Sequence, residues 1–207
     1  GNDGQLSIAA LDEVSKITAG KDSVGVGPGL GNSVDLPKVV RRLFSEAPCP
    51  LVLDADGLNS LASEFQNGLW EGHEHPAPRI LTPHPGEFSR LSGLSISDIE
   101  TRRADVAKEF AAKNNVILVL KGPGTIVTDG VRILINTTGN SGMATGGSGD
   151  VLTGLTTALL ARGGDPFETT RFAVHLHGLA GDLAAEALSQ PGMIASDLPR
   201  FICEAWK

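Results

Sequence analysis

The sequence predicts a single α/β domain over residues 1–207, with a mostly parallel central sheet, helices on both faces and one β-hairpin. Three observations indicate this fold class. Short apolar runs alternate with amphipathic segments of helical spacing, which is the pattern of parallel strands joined by crossover helices. The dipeptide Asp129-Gly130 lies between two apolar runs and is the strongest hairpin signal in the chain. A length of 207 residues suits one domain of this kind, and no repeat or linker divides it.

Short apolar runs are predicted to form the strands. They cover residues 23–26, 50–54, 79–81, 116–120, 125–128 and 131–135. The run at 116–120 is apolar throughout, as expected for a strand that is buried on both faces. The last two runs flank Asp129-Gly130 and form the predicted hairpin.

Helices are predicted between the strands and after the hairpin. They cover residues 33–46, 57–65, 97 to about 113, 151–162, 166 to about 188, and a final stretch near the C-terminus. Residues 97–100 match a capping box, Asp165 precedes a proline at the first helical position, and Ser196 is expected to cap the last helix. Residues 1–22 are polar and weakly patterned, so no element is assigned to them.

Composition argues against several classes of function. The formal net charge is −7, whereas a nucleic-acid surface needs a basic patch; a local cluster of N–H groups can still bind the phosphates of a nucleotide. Cys49 and Cys203 show neither a disulfide framework nor zinc-ligand spacing, so we expect a reducing compartment, the cytoplasm. No apolar run approaches the ~20 residues that cross a bilayer, so no membrane partner is expected.

The stretch from Asn140 to Asp150 is the most informative segment of the chain. It combines four glycines with small side chains, and a segment of helical spacing follows it. Glycines let the backbone approach a ligand, and a helix N-terminus presents free N–H groups, so the pair suits a phosphate. Taken alone, the pattern also fits an ordinary tight loop in which Asp150 only stabilises the helix dipole. It fits neither a Walker P-loop nor a dinucleotide fingerprint.

Four predicted strand ends carry polar or glycine-rich turns. These turns are residues 27–31, 54–59, 82–87 and 121–125. Ligands in such sheets bind beyond the carboxyl ends of the strands. We therefore expect these turns and the segment 140–150 to form one shared site.

Together these motifs resemble those of the ADP/ATP-dependent NAD(P)H-hydrate dehydratases, a branch of the ribokinase-like fold. The matching segments are Gly27-Pro28-Gly29-Leu30-Gly31, residues 53–59, residues 81–88 with the His-Pro-Gly-Glu element, residues 119–122, and residues 138–150 with the Gly-Gly-Ser-Gly-Asp element. Their order and spacing fit along nearly the whole chain. Members of this family normally begin with further β/α units, so we expect this chain to lack an N-terminal part.

The resemblance implies a repair reaction on nicotinamide cofactors. Hydration damages the ring of NADH or NADPH, and the family removes the water from the S epimer of the hydrate. ADP or ATP, with Mg²⁺, would phosphorylate the hydroxyl, and elimination would then release phosphate with AMP or ADP. The resemblance also implies a homo-oligomer, often a tetramer.

The resemblance assigns roles to residues at each turn. Asp150 is predicted to be the base that accepts the hydroxyl proton, and the backbone amides of Gly147, Ser148 and Gly149 are predicted to stabilise the transferring phosphoryl group. The adenine-nucleotide site is predicted at Lys121, Gly122, Pro123, Gly124 and Thr125, with Lys121 as a point charge on phosphate. The hydrated dinucleotide is predicted to contact Gly27, Gly29, His84, Asn140 and Asp150.

Several of these residues also have structural interpretations. His84 lies between two prolines and would otherwise be a turn histidine bonded to the backbone, and Asn140 would otherwise brace its loop. Asp54 and Asp56 could hold Mg²⁺ or polar groups of the substrate, but two carboxylates make a weak metal site. The other four histidines are predicted to be structural or solvated, with no transition metal; they are His73, His75, His175 and His177.

Two other functions remain open from the sequence. A small-molecule kinase of the same fold, acting on a sugar or a hydroxymethylpyrimidine, would share the phosphate seat and the aspartate, although the His-Pro-Gly-Glu element argues against it. A non-catalytic nucleotide-binding or scaffolding protein is the third interpretation. The presence of both Asp150 and His84 argues against that one.

Overall fold

In a computed structural model, which describes residues 6–207, the chain forms a six-stranded sheet. The strands lie across the sheet in chain order: β1 (Val24–Val26), β2 (Leu51–Leu53), β3 (Arg79–Leu81), β4 (Ile117–Leu120), β5 (Ile126–Thr128) and β6 (Ile133–Ile135). Strands β1 to β4 are parallel, whereas β5 is antiparallel to β4 and to β6. The predicted mostly parallel sheet with a hairpin is confirmed.

The helices lie on both faces of the sheet, as predicted. They are α1 (Leu11–Thr18), α2 (Leu36–Glu46), α3 (Ala55–Gln66), α4 (Pro85–Ser92), α5 (Ile96–Thr101), α6 (Arg103–Asn114), α7 (Ser148–Leu160), α8 (Pro166–Leu188) and α9 (Leu198–Ala205). Helices α2 to α6 pack on one face and α7 and α8 on the other, while α9 packs against α8. The strict alternation of strand side chains produces these two cores: Leu51 and Leu53 point into one, and Val52 into the other.

The N-terminal region differs from the prediction. Helix α1 lies within residues 1–22, to which no element was assigned; residues 1–5 of that stretch lie outside the described residues. Val14 of this helix packs against the core of the α2–α6 face. The tertiary contact of Val14 therefore stabilises a helix in a segment whose own pattern is weak.

The start of the long helix after residue 95 also differs. Ser95, not Ser97, is the N-cap: its Oγ accepts the N–H of Asp98 at 3.1 Å and donates to the Asp98 carboxylate at 2.6 Å. The helix is broken at Arg102, so that α5 and α6 are separate. The break lets Arg103 donate to the carbonyls of Leu120 and Lys121, at 3.3 and 3.1 Å, which ties α6 to the end of β4.

The two remaining cap predictions have opposite outcomes. Asp165 caps α8, as expected, by accepting the N–H of Glu168 at 2.9 Å. Ser196 does not cap the last helix, because it lies inside a short 3₁₀ turn and α9 begins two residues later. The N–H of Ile194 donates to Asp197 at 2.8 Å, so an acid rather than the serine holds this turn.

Helix α8 packs closely against the loop that leads to α7. A Cβ on Gly178 would lie 2.3 Å from the hydroxyl of Thr138 and 2.7 Å from its carbonyl carbon. The next residue towards the N-terminus, His177, is buried against the first turn of α7, with its Nε2 3.0 Å from the carbonyl oxygen of Ser148. Because a carbonyl oxygen only accepts, Nε2 carries the proton. Burial lowers the pKa of His177 to about 4, and the nearby charge of Lys121 contributes in the same direction.

Two helical glycines offer a matched test of this packing. We expect Gly178→Ala to lower the free energy of unfolding by about 1–3 kcal/mol, because the added methyl group overlaps the backbone of Thr138. Gly154→Ala in α7 should leave it unchanged or raise it by up to about 1 kcal/mol, because nothing lies within reach of the new methyl group. Urea denaturation measures both, and equal effects would contradict the close contact.

The buried neutral ring of His177 predicts a pH dependence of stability. The unfolded chain binds a proton to this ring near pH 6.5, whereas the folded chain does so only near 4. Stability is therefore highest above about pH 6.5, and we expect the contribution of about 3 kcal/mol to be lost as the pH falls towards 4.

His177→Gln keeps an N–H donor for Ser148 but does not titrate, so its free energy of unfolding should change less over this range than that of the wild type. The other groups titrate in both proteins, including His75, whose pKa burial also lowers to about 4. An unchanged slope in the variant would show that the protonation of His177 does not limit stability.

Candidate functional site

The ends of β1 and β2 meet at Gly27. A Cβ at this position would lie 1.7 Å from the carbonyl oxygen of Asp54, and the φ of Gly27 is +140°, a value that side chains disfavour. Only glycine therefore lets the turn after β1 pass over the start of α3. In the same turn the N–H of Gly31 donates to Asp56 at 2.8 Å, so Asp56 fixes the loop.

A buried carboxylate lies at the centre of the carboxyl edge of the sheet. Asp54 follows β2 and is 1% exposed. Its Oδ1 accepts from the Lys121 ammonium at 2.9 Å, and its Oδ2 accepts from the Thr153 hydroxyl of α7 at 2.8 Å. Glu87 of α4 lies 3.8 Å from the same ammonium. Residues from β2, β4, α4 and α7 thus meet at one point, as the convergence of strand ends predicted.

His84 is the N-cap of α4. Its Nδ1 accepts the N–H groups of Gly86 and Glu87, at 3.0 and 3.4 Å, while Glu87 accepts the N–H of His84 at 2.8 Å. Nδ1 is therefore unprotonated and the neutral ring carries its proton on Nε2, 3.4 Å from the other Glu87 oxygen. The ring is half exposed, so one histidine both caps the helix and presents an edge to the adjoining cavity.

A cavity of about 860 Å³ lies beside this cluster. Its walls include most of the residues predicted for the nucleotide, together with His84 and Asn140; those nucleotide residues are Lys121, Gly122, Pro123, Gly124, Thr125, Ser148 and Gly149. Ser148 is 6% exposed, and its hydroxyl has no hydrogen-bond partner. Among the described residues, this hydroxyl is therefore left as a hydrogen-bonding group without a partner beside a helix N-terminus.

A second cavity, of about 700 Å³, lies on the other side of α7 and is lined by Gly27 and Asp150. Residues two apart on a helix point about 200° away from each other, so Ser148 and Asp150 face different cavities. The first turn of α7 therefore separates the predicted nucleotide residues from the predicted base. Asp150 itself is exposed.

Of the remaining predicted residues, Asn140 lines the larger cavity, whereas Gly29 and Gly147 line neither of the two cavities. Gly29 has open space around it, and Gly147 is the N-cap of α7 with a φ of +92°. Asn140 is fully bonded within the protein: its amide donates to Gly181 and Asp182, at 2.9 and 3.1 Å, and its carbonyl accepts the N–H of Gly142. These contacts match the alternative in which Asn140 braces its own loop. The contact of Asn140 with substrate stays a prediction.

Sequence reasoning did not find Thr153, and it treated His177 only as structural or solvated. Thr153 lies three residues after Asp150, on the same side of α7, so helical spacing was the available signal. His177 is buried and His175 is exposed, so the two rings face different directions. Within residues 6–207 no group of three His, Cys, Asp or Glu side chains could hold a metal ion, and no helix is long and apolar enough to cross a bilayer.

Comparison with known proteins identifies the family. A family model described as NAD(P)H-hydrate dehydratase matches residues 8–204. A bifunctional NAD(P)H-hydrate repair enzyme from Thermofilum pendens is 40% identical over 205 residues, which cover 98% of this chain and 38% of the relative. The ADP-dependent (S)-NAD(P)H-hydrate dehydratase of Bacillus subtilis is 35% identical over 187 residues, which cover 89% of this chain and 64% of that protein. The chain thus spans less than two thirds of the length of these relatives.

Solved structures agree with this comparison. The ADP/ATP-dependent NAD(P)H-hydrate dehydratase of Bacillus subtilis, co-crystallised with ATP/Mg²⁺ and soaked with CoA, superposes with a TM-score of 0.80 at 32% identity, over 92% of this chain and 70% of the other. A ribokinase-like superfamily protein from Enterococcus faecalis superposes with a TM-score of 0.76 at 26% identity, over 97% and 69%. The resemblance predicted from the motifs is confirmed, and the chain belongs to the NAD(P)H-hydrate dehydratase family of the ribokinase-like fold.

Proposed function

We propose that this protein dehydrates the S epimer of hydrated NADH or NADPH, with ADP or ATP as the phosphoryl donor, and so restores the reduced cofactor. The observation that carries the proposal is the first turn of α7. Ser148 and Gly149 of this turn line the larger cavity, and Asp150 follows on the opposite side and lines the smaller one. A phosphoryl group at this N-terminus is thereby within reach of an alcohol that is held beside Asp150.

The proposed chemistry proceeds in two stages. Asp150 accepts the proton of the substrate hydroxyl while the hydroxyl oxygen forms a bond to the terminal phosphorus of the nucleotide. The bond from that phosphorus to the rest of the nucleotide breaks in the same step. The helix dipole favours the carboxylate form of Asp150, which weakens it as a base, but loose phosphoryl transfer depends more on positioning. The C–O bond of the phosphate ester then breaks, phosphate leaves with the electron pair of that bond, and loss of a proton from the adjacent carbon to water restores the ring double bond.

The charged groups at the N-terminus of α7 fit the proposed phosphoryl transfer. Lys121 lies at the same end of α7, and the N–H groups of Gly147 and Gly149 supply partial positive charge, whereas the N–H of Ser148 donates to the Thr145 carbonyl at 3.3 Å. We assign Mg²⁺ to the nucleotide phosphates, because it usually binds through one or two carboxylates together with phosphates and waters. It would neutralise charge on the phosphates. The part of the chain that the structure describes offers no ready-made metal cage.

The activity is tested with authentic hydrate of NADH and of NADPH. Incubation with ADP or ATP and Mg²⁺ should regenerate the absorbance of the reduced nicotinamide. Asp150→Asn should lower kcat by about 10²–10⁴-fold while nucleotide affinity stays within a few-fold, because a positioned base contributes that much to proton transfer. Glu168→Gln removes an acid from the first turn of α8 and is the matched control, with no expected change.

Two outcomes would overturn this assignment. Full turnover in Asp150→Asn would show that another group accepts the proton. A phosphorylated sugar or hydroxymethylpyrimidine, formed without any recovery of reduced nicotinamide, would establish the kinase alternative of the same fold.

We also propose that the protein works in the cytoplasm as a homo-oligomer, a homotetramer. The two cysteines, Cys49 and Cys203, are both free, which suits a reducing compartment. Exposed apolar side chains along β6 and the turn before it favour association; they are Val131, Ile133 and Ile135. Light scattering should give the mass of four chains, and Ile133→Lys with Ile135→Lys should lower it. A monomeric wild type at micromolar concentration would refute the assembly.

A further inference from the structure

The hydrogen bond between Thr153 and Asp54 has no part in the proposed reaction. Thr153 is 4% exposed and donates to Oδ2 of Asp54, whose other oxygen holds the ammonium of Lys121. All three groups belong to different elements: α7, the end of β2 and the end of β4. A threonine of the helix that carries Asp150 is thus connected, through one carboxylate, to the cation beside the phosphate seat.

The ammonium of Lys121 lies against the start of α7. A Cβ on Gly149 would be 3.2 Å from Nζ, and Lys121 lines the larger cavity. Lysine is a flexible side chain that loses about 2 kcal/mol of rotamer entropy when it is fixed. The buried Asp54 carboxylate fixes the Lys121 side chain before a ligand binds. The entropy cost of ordering Lys121 therefore does not reduce the affinity for phosphate.

The hydrogen bond from Thr153 determines which oxygen of Asp54 can accept from the Lys121 ammonium. With Oδ2 committed to the hydroxyl, the ammonium is held on the Oδ1 side, and its other N–H donors remain for Glu87 and the cavity. Without the hydroxyl, a buried carboxylate oxygen would be left unsatisfied and would attract the ammonium away from the cavity.

We propose that Thr153 is a positioning residue, which acts through Asp54 to aim Lys121 at the terminal phosphoryl group of the nucleotide. The proposal rests on the proposed function and adds a specificity to it: the enzyme recognises a nucleoside diphosphate or triphosphate over a monophosphate through Lys121. Asp150 and Thr153 lie almost one turn apart on α7, so the base and the cation keep a fixed relation to each other.

The test compares ADP with AMP, which lacks the terminal phosphoryl group, by titration calorimetry. We expect Thr153→Val to weaken ADP binding about tenfold, the usual effect of a lost hydrogen bond to a charged group, and to leave AMP binding unchanged. Thr153→Ser should restore ADP affinity. Thr156→Val is the matched control on the same helix, because the Thr156 hydroxyl is buried without a partner, and it should bind both nucleotides like the wild type.

A double-mutant cycle separates positioning from a structural role. Lys121→Met should weaken ADP binding, and Thr153→Val should add little in that background if it acts through Lys121. Additive losses, an equal loss for ADP and AMP, or unchanged ADP binding in Thr153→Val would each overturn the proposal. If Thr153→Val fails to fold, Thr153→Ala carries the same test, because it also removes the hydroxyl that donates to Asp54.

The same measurements distinguish a failure of the proposed function from a failure of the positioning role of Thr153. If the wild type does not regenerate reduced nicotinamide from any hydrate, the proposed function fails, but the comparison of ADP and AMP still decides the role of Thr153. If turnover is present and Thr153→Val discriminates ADP from AMP as the wild type does, only the positioning role fails.

Discussion

The site depends on the burial of one carboxylate, Asp54. Removing a charge from water is costly unless it is paired and hydrogen-bonded, and each oxygen of Asp54 has one partner from a distant segment. Because Lys121 follows β4 and Thr153 lies in α7, the carboxylate is satisfied only when the sheet and the helix have both formed. The same contact that stabilises the fold therefore places a cation and a helix N-terminus side by side.

The first turn of α7 gives the site two sides. The backbone conformation of Gly147 lets the chain enter the helix, Ser148 lines the larger cavity, and Asp150 lines the smaller one. In the proposed function, this arrangement would let a chain with a net charge of −7 bind the phosphates of a nucleotide. The attraction would be local, because it would come from N–H groups and from Lys121 rather than from an overall positive surface.

Sequence patterns predicted the elements that local chemistry determines. The hairpin at Asp129-Gly130 and the cap at Asp165 depend on neighbouring residues and were found. The break at Arg102 was missed because the bonds of Arg103 to the end of β4 are tertiary. The cap at Ser95 is local and was missed because Ser97, two residues later, matches the same pattern. Likewise the strand ends indicated where the site lies, but not that Thr153 contacts Asp54, 99 residues earlier in the chain.

The sequential order of β1 to β4 has a consequence for synthesis on the ribosome. The strands and α2 to α6 are complete before residue 136, so one face of the sheet can be covered early. The opposite face, with Val52, Ile80 and Val119, stays open to water until α7 and α8 have emerged. We expect a nascent chain that stalls in this interval to expose an apolar surface, and chaperones would recognise it there.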